Sequence, residues 1–185
     1  MAFAPSSLIL TNNFLPVNWA LCTLSRMECV LKTDAKLSNC RNYRFALWRT
    51  WDESKPFAMI IGLNPSTADE VEDDPTITRC INFAKSWGYG GVCMANLFAY
   101  RTKSPSIMKS QNDPIGADND VWLAKLAKDA GIVVAAWGNH GSHLSRSSTV
   151  KKLIPNLHYL NMNQSGEPTH PLYLKGDLKP ALMGT

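Results

Sequence analysis

Paired cysteines, long hydrophobic runs and a strong positive charge are all missing from this sequence. The five cysteines lie singly, with no C-x-x-C pair, which excludes a zinc knuckle and an iron–sulfur cluster spacing. Because their number is odd and the chain has enough apolar residues for a core, we expect reduced thiols in a cytoplasmic protein. No apolar run approaches the roughly 18 residues of a membrane span. No basic residue precedes the short run at residues 8–10, so we expect neither a signal peptide nor a membrane partner.

The charge balance narrows the possible partners. Lys and Arg number 19 and Asp and Glu number 15, which gives a formal net charge of +4. This charge permits an anionic partner but lies below that of a dedicated nucleic-acid-binding protein. A chain of 185 residues, 45% of them hydrophobic, suits one domain with a full core. We predict an N-terminal extension of undefined order over residues 1–35 and a single α/β domain over residues 36–185.

The most informative stretch is residues 57–66, in which an apolar run of five residues stops at Gly-Leu-Asn-Pro-Ser. A run of this length, bounded by proline and glycine, predicts a strand buried on both faces. Three further apolar strands are predicted near residues 92, 132 and 157. Helices are predicted between them, one from a cap at Asp74 to Gly88 and another from residues 118–119 to Gly131.

Strands that alternate with helices predict right-handed βαβ units, with helices on both faces of the sheet. We expect a three-layer α/β/α fold around a four-stranded, mostly parallel central sheet. The alternation over residues 43–48 predicts a half-buried outer strand. In open α/β sheets, ligands bind beyond the carboxyl ends of the strands. The polar tips at these ends, which we expect to meet in one cleft, are Asn64 to Ser66, Asn96 with Arg101, Asn139 with His140, and His170 with Pro171.

Several motifs resemble those of a bacterial and phage family known as domain of unknown function 1643. They follow the family's order over about residues 38–178 and include YRFALWRTW, IGLNPSTADEVEDDPTITRCINFA, NLFAYRTKSP, DPIGADND and AAWGNHG. The family name implies no activity.

Four shorter motifs at the predicted strand ends are similar to those of the uracil-DNA glycosylase superfamily. Residues 62–66 resemble its Gly-x-Asn-Pro-Gly water-activating motif, and residues 92–101 resemble the strand whose asparagine reads the base. Residues 136–139 look like a strand-end Leu-Gly segment, and His170 with Pro171 looks like the His-Pro-Ser motif of the final loop. The resemblance implies a uracil-DNA-glycosylase-like fold and hydrolysis of an N-glycosidic bond.

The resemblance also implies a role for individual residues. Asn64 would hold the attacking water, His170 would donate a hydrogen bond to the departing base, and Asn96 would read the Watson–Crick edge of an extruded base. These groups suit a reaction in which positive charge grows on the sugar and negative charge on the base. Because an amide is not a general base, a carboxylate of the acidic loop, Asp69, Asp73 or Asp74, would have to reach the water.

The predicted catalytic residues are therefore Asn64, Asp74 and His170. The predicted substrate-binding residues lie at the strand tips and in the final loop: Gly62, Leu63, Pro65, Ser66, Asn96, Arg101, Asn139, His140 and Tyr173. Structural alternatives stay open for each of these sites, including His170 and Arg101. Asn64 and Pro65 would simply form a turn, and Asn96 would be a buried amide bonded to loop backbone.

Three function classes follow from the sequence. The first is an N-glycosidase that acts on DNA or a nucleotide. The second is a non-catalytic nucleotide or nucleic-acid binding protein, because Asn64 stands in place of a carboxylate and Leu172-Tyr173 replaces the Ser-Pro of the glycosylase motif. The third is a metal-dependent hydrolase that uses the acidic loop at residues 69–74. No cofactor is predicted, and His140 with His143 is not predicted to bind a metal because no third ligand lies within sequence reach.

Overall fold

The computed structural model describes residues 32–66 and 73–184. Within these residues, seven strands form one sheet and four α-helices pack against it. The strands are β1 (Lys32–Leu37), β2 (Arg44–Thr50), β3 (Phe57–Gly62), β4 (Gly91–Asn96), β5 (Ile132–Ala135), β6 (Leu157–Tyr159) and β7 (Ala181–Leu182). The helices are α1 (Pro75–Ser86), α2 (Pro105–Lys109), α3 (Asn119–Asp129) and α4 (Arg146–Leu153).

The strand order is β1-β2-β4-β3-β5-β6-β7. The central strands β4, β3, β5 and β6 pair in parallel, whereas β1, β2 and β7 are joined to the sheet by antiparallel pairings. The predicted α/β class is confirmed. The prediction of a four-stranded, mostly parallel, uracil-DNA-glycosylase-like sheet is wrong, because the described sheet has seven strands and half of its pairings are antiparallel.

The error arises at the edges of the sheet. The four predicted strands are all present in the parallel centre, where burial on both faces of β3, β4 and β5 produces continuous apolar runs. β1 has the sequence KTDAKL and a largely exposed surface, and β7 contains only two residues. The predicted outer strand is β2, and its outer position is also wrong: it lies between β1 and β4.

Two apolar layers cover opposite faces of the sheet. On one face, residues of α1 such as Ile77 and Ile81 pack against Ala58 and Ile60 of β3. On the other face, residues of α2, α3 and α4 pack against alternate residues of the same strand, including Met59. Helices therefore lie on both sides of the sheet, and the carboxyl ends of its parallel strands stay open to a ligand.

The start of α1 confirms the predicted cap. Asp74 precedes Pro75, and its carboxylate Oδ1 accepts a hydrogen bond of 2.8 Å from the backbone N–H of Ile77. The predicted end of the helix is also close, since Gly88 follows α1 with a φ of +87°, a conformation that glycine adopts without strain. Together these residues fix where the chain leaves β3 and where it re-enters the sheet.

Some predictions fall outside the described residues. The predicted N-terminal extension is described only from Lys32 onward, where β1 begins, and the acidic residues Asp69, Glu70 and Glu72 are not described. The division into an extension and a domain stays a prediction. Among residues 32–66 and 73–184, no helix is long and apolar enough to span a membrane.

Candidate functional site

A cavity of about 450 Å³, which we call the strand-end cavity, lies beyond the carboxyl ends of β3, β4 and β5. The parallel register pairs Gly62, the last residue of β3, with Asn96, the last residue of β4. Beyond β5, Gly138 has a φ of +73° and donates its backbone N–H to Pro168 at 2.8 Å. This turn brings the segment that contains His170 next to the end of β5.

Most of the residues predicted for the site line this one cavity. The predicted residues that line it are Gly62, Leu63, Asn64, Ser66, Asp74, Asn96, Asn139, His140 and His170. The convergence of the strand tips, which the sequence predicted from the order of its strands, is therefore seen in the structure.

Pro65, Arg101 and Tyr173 do not line the cavity. The carbonyl of Pro65 accepts a backbone hydrogen bond from Thr102, and the guanidinium of Arg101 donates to the carbonyl of Arg41 at 3.1 Å. Tyr173 is 85% exposed, and its ring centre lies 6.3 Å from that of His170. Tyr173 thus stands beside the cavity rather than inside it.

Asn64 joins two loops of the site. Its side-chain Nδ2 donates to the carbonyl of Thr102 at 2.7 Å and to that of Pro65 at 3.2 Å. These bonds hold the turn after β3 against the loop after β4. They also use the amide nitrogen, so Oδ1 is the side-chain atom left to accept a hydrogen bond from a ligand or a water molecule.

Asp74 is held in place by two hydrogen bonds. While Oδ1 caps α1, Oδ2 accepts a hydrogen bond of 2.8 Å from the hydroxyl of Ser66. Ser66 and Asp74 flank the acidic loop, and both line the cavity. The site therefore contains a fixed carboxylate, a group that favours positive charge on a neighbouring ligand.

His170 presents a neutral imidazole to the cavity. Its Nδ1 accepts a hydrogen bond of 3.4 Å from the backbone N–H of Leu172, so the ring proton belongs on Nε2. Burial lowers the pKa of His170 below its ordinary value of 6.5, and the carboxylate of Asp74 opposes this shift in part. At neutral pH, His170 is therefore a hydrogen-bond donor without charge.

Asn96 is the most unusual residue of the site. Its side chain is only 3% exposed, and its Nδ2 has no hydrogen-bond partner among the described residues. The neighbouring Asn119, also buried, donates its own Nδ2 to the carbonyls of Asn96 and Leu97 at 3.1 and 3.0 Å. A buried amide donor without an acceptor destabilises the fold, so such a group is a candidate for ligand recognition.

Gly62 leaves the space that Asn96 occupies. A Cβ atom at position 62 would come within 3.0 Å of Asn96 Oδ1, which is closer than a relaxed contact. The glycine thus allows the close approach of this amide to the end of β3. The sequence motif at residues 62–66 and the asparagine at the end of β4 form one structural unit.

Sequence reasoning missed Arg44 as a site residue. Its side chain is 3% exposed and lines the cavity. Burial lowers the pKa of Arg44 to about 10, with a further decrease from the like charge of Arg101, while Asp74 acts in the opposite direction. The guanidinium stays charged at neutral pH. Because β2 runs antiparallel to β4, Arg44 at its first position lies at the same sheet edge as the carboxyl ends of β3 and β4.

Trp137 forms part of the cavity wall and is held from behind by a buried carboxylate. Its indole Nε1 donates to Glu167 Oε2 at 2.6 Å, and Glu167 Oε1 accepts from the hydroxyl of Ser147 at 2.7 Å. Trp137 is 2% exposed and Glu167 is 7% exposed. This pair could not be read from the sequence, because its members lie 30 residues apart.

A metal site is not formed by the described residues, among which no group of three His, Cys, Asp or Glu side chains converges. Asp73 forms an ion pair of 2.8 Å with the buried Arg49, and Asp74 caps α1. The remaining acidic residues of the loop lie outside the described residues, so a metal site there stays a prediction.

Comparisons with curated proteins and with solved structures each found no match. The predicted resemblance to the uracil-DNA glycosylase superfamily is therefore not supported. The family described as Protein of unknown function (DUF1643) matches residues 44–172, which is more than half of the chain and includes most of the cavity. This match confirms the predicted family: the chain belongs to the DUF1643 family of proteins of unknown function.

Proposed function

We propose that the protein recognises a nucleobase in the strand-end cavity and hydrolyses the N-glycosidic bond of a nucleotide or of DNA. The observation that carries the proposal is the buried Nδ2 of Asn96, which has no acceptor among the described residues and belongs to a residue of the cavity wall. A carboxamide offers a donor and an acceptor side by side, which matches the edge of a base. A base oxygen or ring nitrogen would supply the acceptor that the amide lacks.

The residues around Asn96 suit the hydrolysis of a bond between a sugar and a base. In this reaction a water oxygen bonds to the sugar carbon C1′ while the C1′–N bond breaks. The base leaves with the bonding electron pair and receives a proton that the water gives up. Positive charge therefore grows on the sugar, and negative charge grows on the base.

His170 and Asp74 would stabilise these two charges. A neutral imidazole with its proton on Nε2 donates a hydrogen bond to an oxygen of the departing base. The carboxylate of Asp74, fixed by Ser66 and the start of α1, favours the positively charged sugar. Asn64 would orient the water through Oδ1, because its Nδ2 is bonded to the carbonyl of Thr102.

Base release from defined substrates tests the proposal. The protein is incubated with nucleotides and with duplexes that contain uracil, mismatches or modified bases. Free base is measured by chromatography, and abasic sites are measured by alkaline cleavage. We expect release that falls about 100-fold in Asn96→Leu and in His170→Ala, as for the loss of a transition-state donor. Asn82→Ala, which changes an exposed amide of α1 outside the cavity, should leave release unchanged.

Two results would count against hydrolysis of this kind. One is the absence of free base and of abasic sites with every substrate, and the other is full activity in Asn96→Leu. Addition of a chelator distinguishes this mechanism from the metal-dependent alternative. The proposed mechanism predicts that activity is unchanged when divalent ions are removed, whereas a metal-dependent hydrolase would lose its activity.

A second candidate function is recognition of a base without hydrolysis. The observation that favours it is that two of the groups proposed to act in hydrolysis are already engaged: Asn64 Nδ2 bonds to two carbonyls, and both oxygens of Asp74 accept hydrogen bonds. Neither residue is arranged as an unhindered general base. Thermal stabilisation by a nucleotide without release of free base would support this function over catalysis.

A further inference from the structure

Basic groups from three segments of the chain lie in or beside the strand-end cavity. Lys103 follows β4, Lys109 ends α2, and His140 follows β5. Lys103 and His140 line the cavity, and the ammonium of Lys109 lies 3.1 Å from Nδ1 of His140. An ammonium group can only donate, so Nδ1 of His140 accepts, and its remaining ring proton lies on Nε2. We call these three residues the basic rim.

The basic rim has no acidic counterpart within residues 32–66 and 73–184. Neither Lys103 nor Lys109 forms an ion pair with a described carboxylate, and neither has a contact elsewhere that would neutralise it. Among the described residues that line the cavity, Asp74 is the one carboxylate, and it is bonded to Ser66 and to the start of α1. Within the described residues, Lys103 and Lys109 are therefore ammonium groups that can bind the anionic group of a ligand.

The size of the cavity indicates how much of the ligand enters. Cavities of roughly 300–1,000 Å³ hold whole small molecules of drug size, and this cavity measures about 450 Å³. When an enzyme extrudes a base from DNA, the base enters the pocket and the phosphates stay on the protein surface. Here the cavity is larger than one base, and two of the three residues of the basic rim, Lys103 and His140, line the cavity itself. The formal net charge of +4 is also small for a protein that follows a polymer backbone.

On the basis of the base recognition proposed above, we propose that the strand-end cavity binds a free nucleoside monophosphate. The base contacts Asn96 and His170, and the phosphate contacts the basic rim. The monophosphate is the chemical species that carries both a flat heterocycle and a compact anion within the dimensions of the cavity.

Calorimetric titration of the full chain tests this assignment. The probes are the common nucleosides, their 5′-monophosphates, and single-stranded and duplex oligonucleotides that contain the same bases. We expect one monophosphate to bind at least about tenfold more tightly than its nucleoside, since charge-assisted hydrogen bonds to phosphate are strong. Lys103→Ala and Lys109→Ala should each remove most of this difference. Lys128→Ala, which changes an exposed lysine of α3, should leave the difference unchanged.

The outcomes separate this proposal from the proposed function. Equal affinity for a nucleoside and its monophosphate overturns the phosphate assignment but leaves base recognition intact. Tighter binding of an oligonucleotide than of any monophosphate also overturns it, in favour of a nucleic-acid polymer. Absence of binding by nucleosides, monophosphates and oligonucleotides alike overturns both proposals. Circular dichroism of the lysine variants confirms that each one is folded.

Discussion

Asn96 at the end of β4 and Asn119 at the start of α3 are buried neighbours that should respond to the same substitution in opposite directions. Asn96 and Asn119 are 3% and 0% exposed, so neither amide reaches bulk water. Asn119 Nδ2 makes two hydrogen bonds to backbone carbonyls, whereas Asn96 Nδ2 makes none within the described residues. Replacement of each residue by leucine, which has a similar shape, removes the amide and keeps most of the volume.

The magnitudes follow from the hydrogen bonds that each substitution removes. An unsatisfied buried polar group destabilises a protein by about 1–3 kcal/mol, so its removal in Asn96→Leu should raise the free energy of unfolding. The leucine side chain lies close to Gly62, and this crowding offsets part of the gain. We therefore expect a net increase of about 1 kcal/mol in the free energy of unfolding and a Tm higher by about 2–4 °C. Asn119→Leu loses two hydrogen bonds of about 0.5–1.5 kcal/mol each. Removal of its own unpaired Oδ1 offsets part of this loss, and Arg146 still donates to the carbonyl of Leu97, so we expect a net decrease of about 1 kcal/mol.

Urea denaturation and thermal unfolding measure both variants. The same protein samples are then titrated with nucleotides, for which Asn96→Leu should have lost its affinity. A gain in stability that accompanies a loss of binding is the signature of a group kept for a ligand. If Asn96→Leu is as unstable as Asn119→Leu, the amide of Asn96 has a partner in the folded protein, and the reasoning from its unsatisfied donor fails.

Three further predictions concern neighbouring parts of the site. His170 should titrate by NMR with a pKa below 6.5. Because the folded protein then binds this proton more weakly than the unfolded chain, the free energy of unfolding falls as pH decreases from 6.5 through the folded pKa, and above 6.5 it does not depend on this group. Gly62→Ala should push the amide of Asn96 aside, weaken nucleotide affinity about tenfold in calorimetry and lower Tm by about 2–4 °C, because one crowded contact is worth about 1 kcal/mol. Glu167→Leu should lower the free energy of unfolding by about 2–5 kcal/mol in urea, since it leaves a buried indole N–H and a buried hydroxyl without acceptors.

Matched substitutions control for general effects. Gly88→Ala adds a methyl group in open space at a φ of +87°, so it should lower Tm and leave nucleotide affinity unchanged. Glu53→Leu removes an exposed partner of Lys32 and should change stability little. A pKa of His170 above 6.5, an unchanged affinity in Gly62→Ala, or a Glu167→Leu variant as stable as Glu53→Leu would each contradict the corresponding argument.

Local patterns identified the central part of the fold. The apolar runs that became β3, β4 and β5 are largely buried, and in β6 Leu157 is buried. The start of α1 was equally clear, because an aspartate followed by proline is a strong signal for a helix N-terminus. From these elements alone, the convergence of Asn64, Asn96 and His170 on one cavity could be predicted.

Long-range pairings account for what the sequence did not reveal. β1 and β7 are exposed edge strands whose residues carry no apolar run, so only their pairing with β2 and β6 makes them strands. Arg44 reaches the site because β2 runs antiparallel to its neighbour. The use of Asn64 Nδ2 as a bond between loops depends on a carbonyl 38 residues away. None of these partners lies within the range of a local pattern.

The side-chain amide signals of Asn96 provide the most direct test of the account. In protein labelled with ¹⁵N at asparagine, the Asn96 pair is identified by its disappearance in Asn96→Leu, and the exposed Asn82 serves as the reference. Addition of the nucleoside monophosphate that most stabilises the protein should shift the Asn96 pair downfield, as a new hydrogen bond forms, and leave the Asn82 pair in place. An Asn96 pair that does not move while the nucleotide binds would contradict the claim that this amide recognises the base.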